Sequence, residues 1–223
     1  MSAALQLPVY IVDDDDAVRA SCELLLGSLG YPVRSFASGG AFLAGVDVTL
    51  PGCLILDIGM PGIDGLALHR RLQSAHSPLA VVFLTARADV PTAVDAMRHG
   101  AFDYLVKPAR AQQLVDAVNR ALRRTQAEAE HLGSRREVEA RIARLTARER
   151  DVLSEIVGGD SYRVIAGRLG VSPRTLEAHR KRIMNKMAAR SLPELLRALA
   201  QIDWPGTGRS AAPRAVVSGA PRR

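Results

Sequence analysis

Three carboxylates, one hydroxyl and one amine each follow directly on a short apolar run in this sequence. Asp13 and Asp14 come after Val9-Tyr10-Ile11-Val12, and Asp57 after Cys53-Leu54-Ile55-Leu56. Thr85 comes after Ala80-Val81-Val82-Phe83-Leu84, and Lys107 after Tyr104-Leu105-Val106, with Pro108 behind it. Gathered at one place, these groups suit phosphoryl chemistry. Clustered carboxylates repel one another unless they share a cation, and Mg²⁺ takes a few oxygen ligands while keeping waters. A carboxylate can attack phosphorus to give an aspartyl phosphate. The transition state is mostly spread negative charge, so positioning, a metal and positive donors do the work. Lys107 offers a point charge on a flexible stem, and Thr85 a hydrogen bond to a phosphoryl oxygen. Taken singly, each group has a plainer reading: a solvated turn that caps a helix at Asp13 to Asp16, strand-end polarity at Thr85, a surface lysine at Lys107. Their joint placement favours the site.

That placement depends on the elements in between. Val9–Val12 reads as a buried strand, and Val33–Phe36, Cys53–Leu56, Ala80–Leu84 and Tyr104–Val106 read as four more strands. Between and after them, helical spacing of apolar residues predicts helices over 16–29, 38–44, 64–73, 90–99 and 111–124. Strand and helix alternating five times predict a doubly wound α/β domain with a five-stranded parallel sheet covered on both faces. In such a sheet, ligands sit beyond the C-terminal strand ends, which is where the five polar groups fall. The domain is expected over residues 1–124.

A linker is expected over 125–142, where the composition turns to Ala, Glu, Gln and Arg. It is expected to be helical in part, with Gly133-Ser134 as an interruption. A second, all-α domain is expected over 143–202. Residues 203–223, rich in Gly, Pro, Ser, Ala and Arg, read as a disordered tail. The two cysteines, Cys22 and Cys53, lie in apolar stretches and read as buried free thiols. No basic leader and no run near 18 uncharged apolar residues is present, so a cytoplasmic protein without a membrane span is expected.

Charge separates the halves. Residues 1–124 hold 11 Lys and Arg against 12 Asp and Glu, whereas 125–223 hold 19 against 11. A near-neutral half joined to a basic one points to a polyanion for the second half alone. There Thr146-Ala147-Arg148-Glu149 has the form of a capping box opening a helix to about Val157. A short helix follows over 161–169, then a turn at Gly170-Val171. Ser172 caps a third helix whose first residue is Pro173, a tolerated place for proline. A fourth starts near Ser191. A short helix, a glycine turn and a longer basic helix describe a helix-turn-helix, which reads double-stranded DNA. The third helix carries Arg174, Arg180, Lys181, Arg182 and Lys186 against Glu177.

The blocks Ile11-Val12-Asp13-Asp14-Asp15, Leu56-Asp57-Ile58-Gly59-Met60-Pro61, Leu84-Thr85-Ala86 and Tyr104-Leu105-Val106-Lys107-Pro108 resemble the receiver domain of bacterial two-component response regulators, a flavodoxin-like fold. The resemblance implies that Asp57 is the phosphoacceptor, served by a sensor histidine kinase. It implies that Asp14, Asp57 and the backbone carbonyl of Gly59 hold Mg²⁺, with Asp13 acting largely through water. Thr85 and Lys107 would read the phosphoryl group, and Tyr104 matches an aromatic position whose ring turns inward on activation. Gly59 is a departure: many relatives carry a side chain there, which bears on the rate of dephosphorylation.

The blocks Leu145-Thr146-Ala147-Arg148-Glu149-Arg150-Asp151-Val152-Leu153, Ile165-Ala166-Gly167-Arg168-Leu169-Gly170-Val171-Ser172 and Arg174-Thr175-Leu176-Glu177-Ala178-His179 are similar to the LuxR-type output domain, and the pairing is similar to FixJ-type regulators. The implied DNA-contacting set is Arg174, Thr175, Glu177, Ala178, His179, Arg180, Lys181 and Arg182, with Glu177, Ala178 and Lys181 in the major groove. For His179 a packing or phosphate role is implied rather than metal. Asp160-Ser161-Tyr162 departs from relatives that carry a Lys in this helix, and Arg163 is the substitute phosphate contact.

The expected function is a transcriptional regulator, not an enzyme beyond slow self-catalysed phosphoryl transfer. Phosphorylation is expected to produce a homodimer, joined through the fourth-helix to fifth-helix face of the first domain, that binds paired half-sites, with RNA polymerase a further candidate partner. Two rivals stand beside this. A phosphatase of the haloacid-dehalogenase class would place its Asp-x-Asp-x-Thr/Val run at Asp13 to Ala17, where Ala17 breaks the pattern. An output domain that binds protein rather than DNA is the other.

Overall fold

The structure is a computed structural model and describes residues 7–86, 89–202 and 204–205. The tail expected over 203–223 lies outside the described residues apart from Trp204 and Pro205. The chain divides into two compact units, Met1–Glu130 and His131–Arg223.

In the first unit, β1 (Val9–Val12), β2 (Val33–Phe36), β3 (Gly52–Leu56), β4 (Leu79–Thr85) and β5 (Asp103–Val106) form one parallel sheet in the order β2-β1-β3-β4-β5. Every residue of β1 and β3 is buried. This explains why these strands read as unbroken apolar runs: a central parallel strand is covered on both faces. The helices are α1 (Asp16–Ser28), α2 (Gly39–Gly45), α3 (Gly65–Ser74), α4 (Val90–Arg98) and α5 (Ala111–Ala143). Side chains from α1 and α5, among them Cys22, Leu26, Leu114 and Val118, join Ile11, Ile55 and Val82 in one core cluster. Phe42, Leu68, Leu72 and Ala96 of α2, α3 and α4 join Leu54, Leu56 and Phe83 in the other. Pairing Val12 with Leu56, and Leu56 with Phe83, aligns the C-terminal ends of β1, β3 and β4. Both cysteines are buried free thiols, pushed up by burial to about 11 at Cys22 and about 12 at Cys53.

The helix expected to end at Arg124 instead runs unbroken to Ala143, through Gly133-Ser134. The reason is local. From Arg124 onward, side-chain pairs at i,i+4 spacing line it: Arg124–Glu128, Gln126–Glu130, Arg135–Glu139 and Glu137–Arg141. At about 0.2–0.5 kcal/mol each, they offset the roughly 0.5–1 kcal/mol that a helical glycine costs.

The second unit contains α6 (Ala147–Val157), α7 (Tyr162–Leu169), α8 (Pro173–Lys186) and α9 (Leu192–Ala200). Val138 and Ile142 from the end of α5 pack with Val152, Leu153, Ile165, Leu176 and Ile183 in its core, and Trp204 packs against the same cluster. The capping box forms as read: Glu149 N–H donates to Thr146 Oγ1 at 3.2 Å, and Thr146 N–H to Glu149 Oε2 at 2.8 Å. Gly170 ends α7 with φ of 64°, a left-handed conformation that glycine adopts without steric cost. Among the described residues, no helix is long and apolar enough to cross a membrane.

Candidate functional site

The sheet brings the strand-end groups together. Asp13, Asp57 and Thr85 are buried, Asp14 is exposed and Lys107 is partly covered. Carboxylate oxygens of Asp13, Asp14 and Asp57 lie within 4.8 Å of one another. Lys107 Nζ donates to Asp13 Oδ2 at 2.6 Å and reaches Asp57 Oδ1 at 3.0 Å. Backbone donors fix the rest. Gly59 N–H donates to Asp57 Oδ2 at 2.6 Å, and Asp15 N–H to Asp13 Oδ1 at 3.0 Å.

Burial pushes Asp13 above the usual carboxylate range, although Lys107 and the Asp15 N–H pull the other way. Burial acts on Lys107 in the opposite sense, but its bonds to Asp13 and Asp57 outweigh it and hold the ammonium above its ordinary value. The pocket thus keeps its cation while burial opposes the charge on Asp13, and a divalent ion shared by the cluster would relieve that opposition. Three oxygen donors of carboxylate type fit a hard cation such as Mg²⁺.

Tyr104 is half-buried, its ring centroid 6.2 Å from that of Phe83. Gly59 is exposed, and a Cβ there would meet nothing closer than Asp57 Oδ2 at 3.4 Å. A side chain at this position is therefore sterically admissible.

Two residues that hold the pocket were missed in the sequence. Arg19, on α1, donates from Nη1 to the backbone carbonyl of Asp13 at 2.7 Å and also pairs with Asp16. Gly65 opens α3 directly beneath Asp57: a Cβ there would stand 2.1 Å from the Asp57 carbonyl oxygen. The available signal was the pair Asp64-Gly65. Asp64 is the N-cap, its side chain accepting from Ala67 N–H at 2.6 Å. A poor helix former in the next position marks a demand for closeness.

On the second unit, α8 exposes Arg174, Thr175, Glu177, Ala178, Lys181 and Arg182, and leaves His179 and Arg180 partly covered. A concavity of about 700 Å³ runs along it past Glu177, Arg180, Lys181 and Arg190. Thr175 Oγ1 is 2.8 Å from the cap hydroxyl of Ser172. His179 has its Nδ1 buried without a hydrogen-bond partner among the described residues, as suits packing. Lys186, counted with the basic residues of this helix, is turned to structure. Its Nζ donates to Glu149 Oε2 at 2.7 Å and to the Arg144 carbonyl at 3.1 Å. Arg163 is exposed on α7.

Comparison with known proteins accounts for both halves. Residues 9–119 match the response regulator receiver domain, and residues 143–199 the luxR family of bacterial regulatory proteins. The transcriptional regulatory protein FixJ of Azorhizobium caulinodans is 46% identical over 86% of this chain and 90% of its own length. The tetrathionate response regulatory protein TtrR of Salmonella typhimurium is 41% identical over 89% of this chain and 95% of its own. Among solved structures, the response regulator StyR, 34% identical, covers 89% of this chain and 98% of its own with a TM-score of 0.78. Full-length FixJ from B. japonicum, 37% identical, has the same coverage with a TM-score of 0.55. These relatives are regulators, and the chain spans nearly all of each. With a receiver domain ahead of a LuxR-type DNA-binding domain, the chain belongs to the two-component response regulators of the FixJ type and is a transcriptional regulator.

Proposed function

We propose that Asp57 accepts a phosphoryl group from a phosphohistidine of a sensor histidine kinase, and that the modified chain dimerises and binds paired DNA half-sites in the cytoplasm. The observation that carries this reading is the pocket: a lysine within 2.6 Å of one buried carboxylate and 3.0 Å of another, in a cluster of three. The Asp57 carboxylate attacks phosphorus. The P–N bond of the donor breaks, and its electron pair stays on the departing imidazole nitrogen. Lys107 then exchanges a carboxylate oxygen for a phosphoryl oxygen, and the Thr85 hydroxyl donates to another. Asp14, Asp57 and the Gly59 carbonyl would hold Mg²⁺, with Asp13 acting through water; the ion supplies charge neutralisation of the phosphoryl oxygens. Hydrolysis of the acyl phosphate is slow and self-catalysed, with no turnover of a free substrate.

The switch passes along β5, where Tyr104 lies three residues before Lys107 and packs on Phe83. The face next to it supports the dimer. Val90, Val94 and Met97 of α4 and Val106 of β5 are all exposed, an apolar set that a monomer gains nothing by displaying. In the output domain, Glu177, Ala178 and Lys181 enter the major groove, and Arg174 and Arg182 reach phosphates.

Labelling with a small phosphodonor tests the chemistry. Native protein with Mg²⁺ should take up phosphate, and Asp57→Asn, or native protein in EDTA, should take up none. Unchanged labelling of Asp57→Asn overturns the assignment. Beryllofluoride, a phosphoryl mimic, should convert monomer to dimer in sedimentation, and a single species with and without it would break the coupling.

A further inference from the structure

The departure at Tyr162 is the least expected feature of the output domain. Tyr162 opens α7, yet its ring is not in the core: it stays 42% exposed and faces α8. There the Arg180 guanidinium carbon lies 5.9 Å from the ring centroid. On its other side, Arg180 Nη1 donates to Glu177 Oε1 at 2.8 Å. A residue of the scaffold helix thus holds a cation of the recognition helix, and that cation holds the carboxylate placed to read bases. The Glu177 hydrogen bond first, and the polar end of Tyr162 second, stabilise the charged form of Arg180.

We propose that Tyr162 is a specificity-determining positioning residue for DNA recognition, presenting Glu177 and Arg180 to the bases as one composite reader. This rests on the DNA-binding reading above. The physical basis is the entropy of long side chains. A free arginine samples many rotamers and must be ordered when it meets a base, whereas one held between a ring and a carboxylate has already lost that freedom. The fork of Arg180 then donates to guanine O6 and N7, and Glu177 accepts from a cytosine amino group. The same pairing removes Arg180 from the phosphate contacts. A guanidinium already compensated by Glu177 releases little counterion, so its contribution appears in sequence discrimination and not in the salt slope.

The test uses the full chain activated with beryllofluoride. A duplex library with a randomised central region is selected on the native protein, and the enriched duplex and a shuffled version are then titrated by fluorescence anisotropy across a salt series. Three variants are compared: Tyr162→Phe, which keeps the ring, Tyr162→Leu, which keeps apolar bulk without it, and Arg180→Lys, which keeps charge without the fork. Trp204, the sole tryptophan, reports whether each variant is folded. Tyr162→Leu should lower the ratio of enriched to shuffled affinity about two- to fivefold, the range of an exposed cation–π contact. Its salt slope should be unchanged, and Tyr162→Phe should match native. Arg180→Lys should lose at least as much discrimination, at the same base position in a repeated selection. The proposal is overturned if Tyr162→Leu keeps the native ratio. It is also overturned if Phe and Leu are equally impaired with a slope reduced by about one, which makes the hydroxyl a phosphate contact. If the native chain enriches no sequence, the DNA-binding reading falls with it; if it enriches one that Tyr162→Leu reads equally well, only this proposal falls.

Discussion

The two units of this regulator handle charge in opposite ways. In the receiver, unlike charges are packed within 3.0 Å in a buried pocket, and backbone donors from Gly59 and Asp15 leave the carboxylates one arrangement. On the output domain, cations are spread along an exposed helix; Arg180 is tied to Glu177 on that surface, and Lys186 at the helix end is tied to the buried Glu149. The difference fits the proposed tasks. Bond making at one phosphorus atom needs a few groups held at fixed points, where each carries a large share. Holding a polyanion needs many weak contacts, each replaceable. Substitutions in the pocket should therefore act abruptly, and substitutions on the recognition face by degrees.

The sharpest break in that contrast comes from a residue without a side chain. Gly65→Ala puts a Cβ 2.1 Å from the Asp57 carbonyl oxygen, a backbone atom that cannot swing aside. The end of β3 or the start of α3 must shift, at a cost of about 1–3 kcal/mol. Labelling by a small phosphodonor should fall at least tenfold, because Asp57 moves with its backbone. Gly133→Ala is the matched control, since a Cβ there meets nothing within 4 Å. It should stabilise the chain by about 0.5–1 kcal/mol in denaturant titration and leave labelling intact. Equal behaviour of the two variants would dissolve the claim that the pocket is sterically determined.

Removing the pocket's cation should come next in size. Lys107→Ala leaves Asp13 and Asp57 facing each other without a counter-charge. In EDTA this should lower stability by about 1–3 kcal/mol, the cost of leaving charged groups unsatisfied. Added Mg²⁺ should recover more stability in the variant than in the native chain, because the ion is then the only cation the carboxylates share. The measurement is urea denaturation followed by circular dichroism, with and without Mg²⁺. Identical Mg²⁺ responses would mean that Lys107 and the ion do not serve the same charges.

Glu149 is the output domain's nearest approach to the receiver's style, a buried carboxylate with a lysine at 2.7 Å and a backbone N–H at 2.8 Å. The Lys186 hydrogen bond first, then the Thr146 N–H, hold its carboxyl below its ordinary value of 4.5. A group lowered on folding contributes stability that is complete above its unfolded value and is lost as pH falls through the folded one. Stability followed by Trp204 fluorescence should thus decline below about pH 4.5. Glu149→Gln should cost about 0.5–2 kcal/mol at pH 7, as the loss of a cap does, and should flatten that acid limb. A limb of native steepness in the variant would assign it to other carboxylates.

What was legible in the sequence follows the same division. The central strands announced themselves because a parallel strand covered on both faces is apolar throughout, and Asp13, Asp57, Thr85 and Lys107 stood out because each follows an apolar run at its end. Local chemistry was equally legible, as in the Thr146 to Glu149 box and the Ser172-Pro173 start of α8. Contacts across the fold left no mark. Arg19 serves a backbone carbonyl six residues away, and any residue would offer the same carbonyl. Lys186 reads as one more basic residue on a basic helix until the turn of the chain brings Glu149 to it. At Gly133-Ser134 the local signal was present and misleading. A breaking pair was visible, but the ion pairs flanking it, spread over residues 124–141, outweigh it.

The smallest expected effect belongs to a single surface arginine, and it tests the graded half of the comparison. Arg182 is exposed on α8, where it is proposed to reach a phosphate. Each phosphate neutralised on duplex DNA contributes a slope of about −0.9 to the logarithm of affinity against the logarithm of salt. Arg182→Gln should therefore reduce the slope by about 0.9, on the enriched and shuffled duplexes alike. Across a fourfold range of salt, a slope of that size alters affinity about 3.5-fold, so the variant and the native chain should converge by that factor as salt rises. Discrimination between the two duplexes should not change, since a phosphate carries no sequence. A variant that loses discrimination with an unchanged slope would put Arg182 on a base edge. The graded, sequence-blind role would then have to be carried by Arg174, the other exposed cation of the helix proposed to reach phosphate.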